Sequence, residues 1–258
     1  MRVTNAILLL VALIVTIASN VFAEERLKVA FGNALPPWVM PTTNNGILHD
    51  IISESLAPAG YIVEPFYFPY ARRIYAYRLG QVDVVTDINP YVIDSEGLHG
   101  FFSVIAYSYE NYAISLKERN FRFNKINDLA EHRILSWQGA RTTLGREYTK
   151  MADNNPYYSE HHNQELQIKM LFKRRVDVIQ MDIEIFRYFR NKVGFEREID
   201  TSIPVDKFPL FGKNQCGFLF RSKAARDDFN KNFAQLKSSG RYAQIYSGYL
   251  GTPSSGRK

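Results

Sequence analysis

The chain has 258 residues, of which 46% are hydrophobic and 22% charged, a balance typical of a globular protein. Its formal charge of +6 comes from 32 basic and 26 acidic residues dispersed along the sequence. Because no long run of lysine and arginine occurs, nucleic-acid binding is disfavoured. The single cysteine, Cys216, excludes a disulfide within the chain and is expected to be a small buried apolar residue.

The first 23 residues have the pattern of an export signal. Arg2 precedes an apolar run from residue 6 to residue 18, and Val21 to Ala23 supply small residues at the third and last positions before a cut. The alternative is a membrane anchor, but about 13 apolar residues are few for a bilayer span. We therefore expect cleavage after Ala23 and a periplasmic location. A lipoprotein is not expected, since the cysteine lies far from the signal.

The rest of the chain alternates between strand and helix patterns. Aromatic and β-branched runs predict strands at 27–31, 61–68, 82–86, 112–116, 133–137, 157–161, 176–181 and 217–221. Apolar residues at helical spacing predict helices at 47–56, 69–79, 141–151, 164–173, 183–190, 223–238 and 242–249. This alternation predicts an α/β fold with mostly parallel strands covered by helices.

A short internal sequence repeat suggests two related lobes. Asp83 and Asp177 each lie between two valines that open a strand, and each strand is followed by a second acid, Asp87 or Asp182. Open α/β sheets bind ligands at the carboxyl ends of their strands. Asp87 and Asp182 are therefore candidate binding residues, whereas Asp83 and Asp177 are expected to cap nearby backbone N–H groups.

A series of short motifs accompanies these elements. They are Pro36-Pro37-Trp38, Gly46 to Ile51, Pro69 to Arg72, Phe102-Ser103 with Tyr107, Ile126 to Leu129, Trp137 to Gly139, Val176 to Asp182, and Leu236 to Gly240 with Ile245 and Tyr249. In this order they resemble the bacterial extracellular solute-binding proteins of family 3, receptors that supply amino acids and related solutes to ABC importers. The resemblance covers nearly all of residues 24–250.

The resemblance implies a two-lobed periplasmic-binding-protein-like fold. Each lobe would be a mostly parallel sheet flanked by helices, and two hinge strands would join the lobes. After the signal at 1–23, residues 24–108 and 212–258 would form the first lobe and residues 109–211 the second. We expect the crossings near Tyr107–Asn111 and Phe211–Gln215, with closure on a solute by hinge motion.

The same resemblance implies a monomeric receptor that binds a small-molecule solute and passes it to an inner-membrane ABC permease. No nucleic-acid partner, cofactor, metal or catalytic residue is expected. Residues 89–96 lack the arginine with which amino-acid-binding members hold the ligand carboxylate, so the identity of the solute stays open. Two alternatives are a small periplasmic enzyme of dehydratase type on the same fold and a receptor that presents its ligand to a sensor.

Eight residues are candidate ligand contacts: Trp38, Tyr70, Arg72, Asp87, Gly139, Arg141, Thr142 and Asp182. Trp38 lies in a loop stiffened by prolines and is expected to stack on a solute, the alternative being a core aromatic. Tyr70 and Arg72 stand at a helix start, where Arg72 offers a two-pronged donor to an anion. Its neighbour Arg73 is the weaker candidate.

The remaining candidates lie in the second predicted lobe or face it. Gly139, Arg141 and Thr142 open a helix after a strand, where free N–H groups suit an anion; the alternative is a plain helix start. Asp87 and Asp182 are expected to receive an ammonium group or hydroxyls, with a helix cap as the alternative for Asp182. An anion site beside carboxylates favours a zwitterionic, amino-acid-like solute.

Overall fold

The computed structural model describes residues 24–195 and 199–251. The predicted export signal, residues 1–23, lies outside the described residues. Within the described part of the chain, no helix is both long enough and apolar enough to span a bilayer.

Strands and helices alternate along most of the described chain. The strands are β1 (Glu25–Gly32), β2 (Tyr61–Phe68), β3 (Val84–Ile88), β4 (Phe101–Phe102), β5 (Tyr107–Leu116), β6 (Ile134–Trp137), β7 (Tyr158–His161), β8 (Val178–Asp182), β9 (Val205–Phe208) and β10 (Lys213–Phe220). The helices are α1 (Ile47–Leu56), α2 (Tyr70–Arg78), α3 (Pro90–Glu96), α4 (Ala140–Thr143), α5 (Arg146–Asn154), α6 (Gln164–Phe172), α7 (Ile183–Phe195), α8 (Lys223–Ser238) and α9 (Arg241–Leu250).

The strands form two similar halves that meet in the middle. Their order is β2-β1-β3-β10-β5-β8-β6-β7, with β4 paired to β10 and β9 paired to β5. β2, β1 and β3 are parallel in the first lobe, and β7, β6 and β8 are parallel in the second. The strand order β2-β1-β3 of the first half matches the order β7-β6-β8 of the second, in agreement with the internal sequence repeat. The predicted two-lobed α/β fold is confirmed.

Two long antiparallel strands join the halves. Residues Lys213 to Cys216 of β10 pair with Glu110 to Tyr107 of β5. The rest of β10 pairs with β3 in the first lobe, and the rest of β5 pairs with β8 in the second. This pairing lies where the sequence places the two crossings. The exact lobe boundaries at 108/109 and 211/212 remain a prediction.

Each lobe has helices packed on its sheet because the apolar residues recur at helical spacing. On α1 the buried residues are Ile47, Leu48, Ile51, Ile52 and Leu56, the set that predicts this helix. Val178 and Ile179 of β8 are fully buried, as expected for a central parallel strand covered on both faces. Cys216 is buried too, so its predicted role as an apolar core residue is confirmed.

Two predicted elements differ from the structure. The helix expected over 141–151 is two helices, α4 and α5, because Gly145 adopts a φ of 94° that breaks the chain between them. Helix α3 was not predicted, although its sequence carries helix signals at both ends. Asn89 caps Val92 N with its side chain at 2.9 Å, and Gly97 ends the helix at a φ of 57°.

Candidate functional site

A cleft of about 680 Å³ lies at the junction of the two halves. Its lining comes from both lobes and from the two joining strands, and comprises Leu35, Arg73, Asp87, Asn89, Tyr91, Val92, Tyr109, Asn111, Trp137, Thr143, Leu144, Gly145, Gln164, Asp182, Ile185, Phe211, Gly212 and Asn214. The charged members of this lining are one arginine and two aspartates. The cleft therefore brings opposite charges together at the carboxyl ends of β3 and β8.

On the first lobe, the buried Arg73 forms an ion pair with the partly buried Asp87. Arg73 is 2% exposed, and its Nη1 donates to Asp87 Oδ2 and, at 3.2 Å, to Thr86 Oγ1. Although burial acts the other way, the Asp87 charge raises the pKa of Arg73. A Cβ added at Gly32, at the end of β1, would lie 3.2 Å from Arg73 Nη1. The glycine therefore leaves space for the guanidinium.

Two tyrosines from β5 complete the surroundings of Asp87. Its Oδ1 accepts from Tyr107 Oη at 3.0 Å and from Tyr109 Oη at 2.7 Å, while the Asp87 N–H donates to Tyr107 Oη at 2.7 Å. Burial, reinforced by the Asp87 charge, raises the pKa of both tyrosines well above its usual value, so both remain donors. Asp87 has a φ of 58°, a left-handed conformation that this network holds in place.

On the second lobe, Asp182 accepts hydrogen bonds from neutral donors. Its Oδ1 accepts from Trp38 Nε1 at 3.0 Å and from the N–H groups of Glu184 and Ile185 at 3.0 and 3.2 Å. Its Oδ2 accepts from Glu110 N at 2.9 Å. Burial, only partly offset by these bonds, raises the pKa of Asp182 to about 6. Asp182 thus caps α7 and also lines the cleft.

Trp38 lies in the core rather than on the cleft surface. It is 0% exposed and packs edge-on against Tyr109 and Tyr246, with ring centroids 4.8 and 5.9 Å away. The expected stacking on a solute therefore does not fit its position, and the alternative of a core aromatic does. Its hydrogen bond to Asp182 ties the first-lobe loop to the second lobe at the base of the cleft.

The start of α4 is already occupied by a carboxylate of the chain itself. Glu160 of β7 accepts from Gly139 N and from Arg141 N, both at 2.8 Å. Although burial opposes the change, these bonds lower the pKa of Glu160 and keep it ionised. A ligand anion would meet a negative charge there. The anion site expected at residues 139–143 is thus filled by Glu160.

The other residues at this helix start turn away from the cleft. The Arg141 guanidinium pairs with Asp153 at 3.2 Å, and the Thr142 hydroxyl donates to the Gly139 carbonyl at 3.1 Å. Neither residue lines the cleft, and both are exposed. Thr143 and Gly145, further along the same turn, do line it.

Of the two neighbouring arginines in α2, the cleft contains the one that the sequence ranked as the weaker candidate. Arg72 is exposed and does not line the cleft, whereas Arg73, the weaker candidate, is buried and does. Helical phase explains the difference, because Arg73 shares the inward face with Ala76 and Tyr77. Tyr70 is the first residue of α2, and its predicted contact with a ligand lies outside the described side chains.

Sequence reasoning did not identify several aromatic and amide residues of the cleft. Asn89 and Tyr91 come from the cap and first turn of α3, which the Asn-Pro start and the following Gly97 would have indicated. Trp137 comes from the end of β6, and Phe211 lies just before β10. No simple spacing relates these residues, because they converge only through the crossing of the chain between lobes.

The comparison with known proteins establishes the fold. No family model matches the chain, and no curated protein sequence matches it. A GluR0 ligand-binding core in complex with L-glutamate matches with a TM-score of 0.65 at 17% identity, over 89% of this chain and 100% of that one. An ancestral cationic amino acid solute-binding protein matches with a TM-score of 0.65 at 18% identity, over 87% and 95%.

A third solved structure, a variant of ArgBP from T. maritima, matches with a TM-score of 0.60 at 18% identity, over 88% of this chain and 96% of that one. These matches cover 95% or more of each of the three solved structures and at least 87% of this chain. The chain therefore has the two-lobed fold of the periplasmic binding proteins.

Proposed function

We propose that this protein is an exported receptor that binds a small amino-acid-like solute in the cleft between its lobes. The observation that carries the proposal is the convergence of Arg73, Asp87 and Asp182 from two lobes on one cavity of about 680 Å³. The solved structures of the same fold support it, since one is a complex with L-glutamate and another is a cationic amino acid solute-binding protein.

The charges of the cleft suggest how such a solute would lie. Arg73 offers a cationic edge to a ligand carboxylate, and Asp182 accepts one hydrogen bond at Oδ2 within the described residues, which leaves that oxygen able to receive an ammonium group. One arginine against two aspartates gives a net negative lining. We therefore propose a zwitterionic solute whose side chain is neutral or basic, in preference to a dicarboxylic amino acid.

Aromatic side chains would cover the rest of the solute. Tyr91, Tyr109, Trp137 and Phe211 line the cleft from α3, β5, the end of β6 and the segment before β10. Such rings bury apolar stems and attract cationic groups over their faces. Tyr91 is 78% exposed, so its ring is free to contact a ligand in the cleft.

A thermal-shift screen of amino acids, amines, sugars and dicarboxylates tests the proposal. A true ligand at 100 times its Kd should stabilise the protein by about 2.7 kcal/mol. We expect stabilisation by at least one neutral or basic amino acid and none by sugars. Stabilisation by sugars alone would overturn the proposed ligand class.

The variant Tyr91→Ala tests whether the solute binds in this cleft. Because Tyr91 is exposed, its removal should leave the fold intact and weaken solute binding about tenfold, the contribution of one aromatic contact. Tyr157→Ala is the matched control, since Tyr157 is 60% exposed and does not line the cleft. Equal affinities of both variants in calorimetry would place the solute elsewhere.

Arg72→Ala and Arg141→Ala test the two arginines that the sequence predicts to contact the ligand. Neither side chain lines the cleft, so each substitution should change solute affinity less than twofold, about 0.4 kcal/mol. Asp182→Asn, in contrast, should weaken binding of an ammonium-bearing solute by about tenfold or more. A large loss with Arg72→Ala would restore the sequence-based assignment.

We further propose that the lobes close on the solute and that the closed form delivers it to an inner-membrane ABC permease. Closure about β5 and β10 would shorten the molecule, and small-angle scattering with a saturating solute should record a smaller radius of gyration. An unchanged scattering profile would contradict closure. Loss of solute uptake in a strain that lacks the gene, with retained sensing, would separate import from the sensor alternative.

An enzymatic role is the second candidate, because the cleft holds one carboxyl group suited to proton transfer. Asp182 has its pKa raised to about 6 by burial, near the value at which a carboxyl works as a general acid or base. One structure of the same fold is described as an amino-acid-binding precursor of cyclohexadienyl dehydratase. Turnover of the bound solute, followed by NMR and lost in Asp182→Asn, would favour this candidate over simple binding.

A further inference from the structure

A second cavity, of about 870 Å³, shares no lining residue with the cleft. Its walls come from α7, from the segment around residues 201–202, from β9 and from the C-terminal helix α9. Three basic side chains line it, Arg187, Arg190 and Lys207. None of these three side chains lines the cleft.

Arg190 is held rigidly in this wall by neutral groups. Its Nε donates to the Thr201 carbonyl at 2.8 Å and its Nη2 to the Ile203 carbonyl at 3.1 Å. Its guanidinium carbon lies 5.5 and 5.8 Å from the ring centroids of Phe172 and Phe186. Among residues 24–195 and 199–251, no carboxylate forms an ion pair with Arg190. Its position is therefore set, and no carboxylate of the described residues neutralises its charge.

Lys207 reaches the same cavity from β9. It also has no ion-pair partner within the described part of the chain. Burial lowers the pKa of Lys207, and the positive charges of Arg187 and Arg190 lower it further, while Glu184 acts in the opposite direction. The two arginines thus disfavour the positive charge of Lys207. An anion bound among the three side chains would offset this effect.

The charge balance indicates the valence of that anion. The Arg187 guanidinium already pairs with Glu184 at 3.1 Å, so the three cations and this carboxylate leave a net charge of about +2. Neutral polar side chains of Thr201, Gln244 and Ser247 also line the cavity and supply hydrogen-bonding groups. The combination is suited to a compact group with two negative charges.

We infer that this cavity is a second ligand site that binds a small dianion, such as phosphate or a short dicarboxylate, between Arg187, Arg190 and Lys207. The site differs from the cleft in charge as well as in place, because the cleft has a net negative lining and this cavity a positive one. A bound dianion would contact α7 and α9 together. The Asn191 side chain, which donates to the Leu250 carbonyl at 2.7 Å, already links these two helices.

Isothermal titration calorimetry of the full chain with sodium phosphate and with succinate tests the inference, in low-salt buffer and without any amino acid. Either dianion should bind, and sodium chloride at equal ionic strength should not reproduce the heat. Lys207→Gln should weaken binding by about tenfold, the loss of one charge-assisted contact. Arg190→Lys keeps the charge but loses the planar donor fork, and should also weaken binding.

Lys150→Gln on α5 is the matched control, because Lys150 is exposed and lies outside this cavity. It should leave dianion affinity within about twofold of the parent, so its loss should be far smaller than that of Lys207→Gln. No heat with either dianion up to tens of millimolar would overturn the inference. Equal weakening by both lysine variants would overturn it too, since binding would then follow overall charge. Neither result bears on solute binding in the cleft.

Discussion

Asp87 and Asp182 occupy matching places in the two lobes, each at the carboxyl end of a central strand and each lining the cleft. Their surroundings nevertheless differ. Asp87 is paired with the buried guanidinium of Arg73 and accepts from two tyrosine hydroxyls. Among the residues that the structure describes, Asp182 accepts from neutral N–H donors alone, those of Trp38 and of three backbone groups. The same position in the fold thus carries a compensated charge in one lobe and an uncompensated one in the other.

This difference shows how a repeated architecture acquires a one-sided site. Where a carboxylate has a fixed cation, a ligand gains little by adding another positive charge. Where only neutral dipoles hold the carboxylate, burial destabilises the ionised form, and a ligand ammonium would restore the balance. The second lobe would therefore be the better location for the cationic end of the proposed solute. Substitutions in the two lobes should separate their contributions, with effects that decrease from the ion pair to Asp182 and then to the structural caps.

The largest effect should come from removing the cation of the first lobe. Arg73→Met would leave the partly buried Asp87 without its cation and should lower the free energy of unfolding by about 3 to 5 kcal/mol, measured by urea denaturation. Arg72→Met is the control, since Arg72 is exposed, and should stay within about 0.5 kcal/mol of the parent.

A second substitution separates the buried charge from lost packing. Asp87→Asn on the Arg73→Met background removes the uncompensated carboxylate and should recover part of the lost stability. If Arg72→Met and Arg73→Met were equally destabilising, the ion pair would not be the element that distinguishes the first lobe.

The second effect concerns the pH dependence set by Asp182. Its pKa of about 6 in the folded protein lies above the ordinary value near 4, so the folded state holds the proton more tightly. This contribution to stability is full below pH 4 and is lost as the pH rises through 6. Relative to Asp182→Asn, the parent should lose up to about 3 kcal/mol between pH 4 and pH 7.

Urea denaturation of parent and variant across this pH range measures the difference. Asp94→Asn, at an exposed position of α3, serves as the control and should follow the parent curve. If Asp182→Asn followed the parent curve as well, the raised pKa would belong to another group and the contrast with Asp87 would fail.

The smallest expected effect is the difference in stability lost when each of the two structural caps, Asp83 and Asp177, is replaced. Asp83 accepts from Lys28 N at 2.8 Å, whereas Asp177 accepts from Arg133 N at 3.0 Å and from the Arg133 guanidinium at 3.0 and 2.8 Å. Asp83→Asn should cost about 1 kcal/mol and Asp177→Asn about 2 kcal/mol in urea denaturation at pH 7.

The difference between the caps should disappear in acid. The Arg133 side chain lowers the pKa of Asp177, so its extra contribution is present above the ordinary carboxyl pKa and is lost as the pH falls through the lowered value. A gap between the two variants that persisted in strong acid would mean that packing, not charge, distinguishes the caps.

Much of the architecture follows from local patterns in the sequence. The alternation of strand and helix, the apolar face of α1 and the repeated Val-Asp-Val each depend on residues close together in the chain. Asp83 and Asp177 cap N–H groups of Lys28 and Arg133, as the sequence predicts. The approach of Asp87 and Asp182 to a common cleft also follows, because both end parallel strands in lobes of the same topology.

The sequence did not determine which side of helix α2 faces the sheet and the cleft. Tyr75 on α2 and Leu79 at its C-terminal cap are 57% and 53% exposed although both are large and apolar, so the apolar pattern does not tell Arg72 from Arg73. Only the packing of Ala76 and Tyr77 against the sheet decides which arginine faces the cleft. A rotation of one residue moves a side chain by about 100° around a helix, which is enough to exchange a cleft residue for a surface one.

The identity of partners from distant segments was decided by the tertiary structure alone. Glu160 fills the start of α4 and Trp38 bonds to Asp182 across 144 positions of the chain. Nothing local in the sequence marks either pairing, because β7 reaches α4, and the first-lobe loop reaches β8, only when the sheet is assembled. Sequence patterns thus determined that Asp87 and Asp182 would lie at the cleft, whereas long-range packing decided which arginine reached it and which charges were already satisfied.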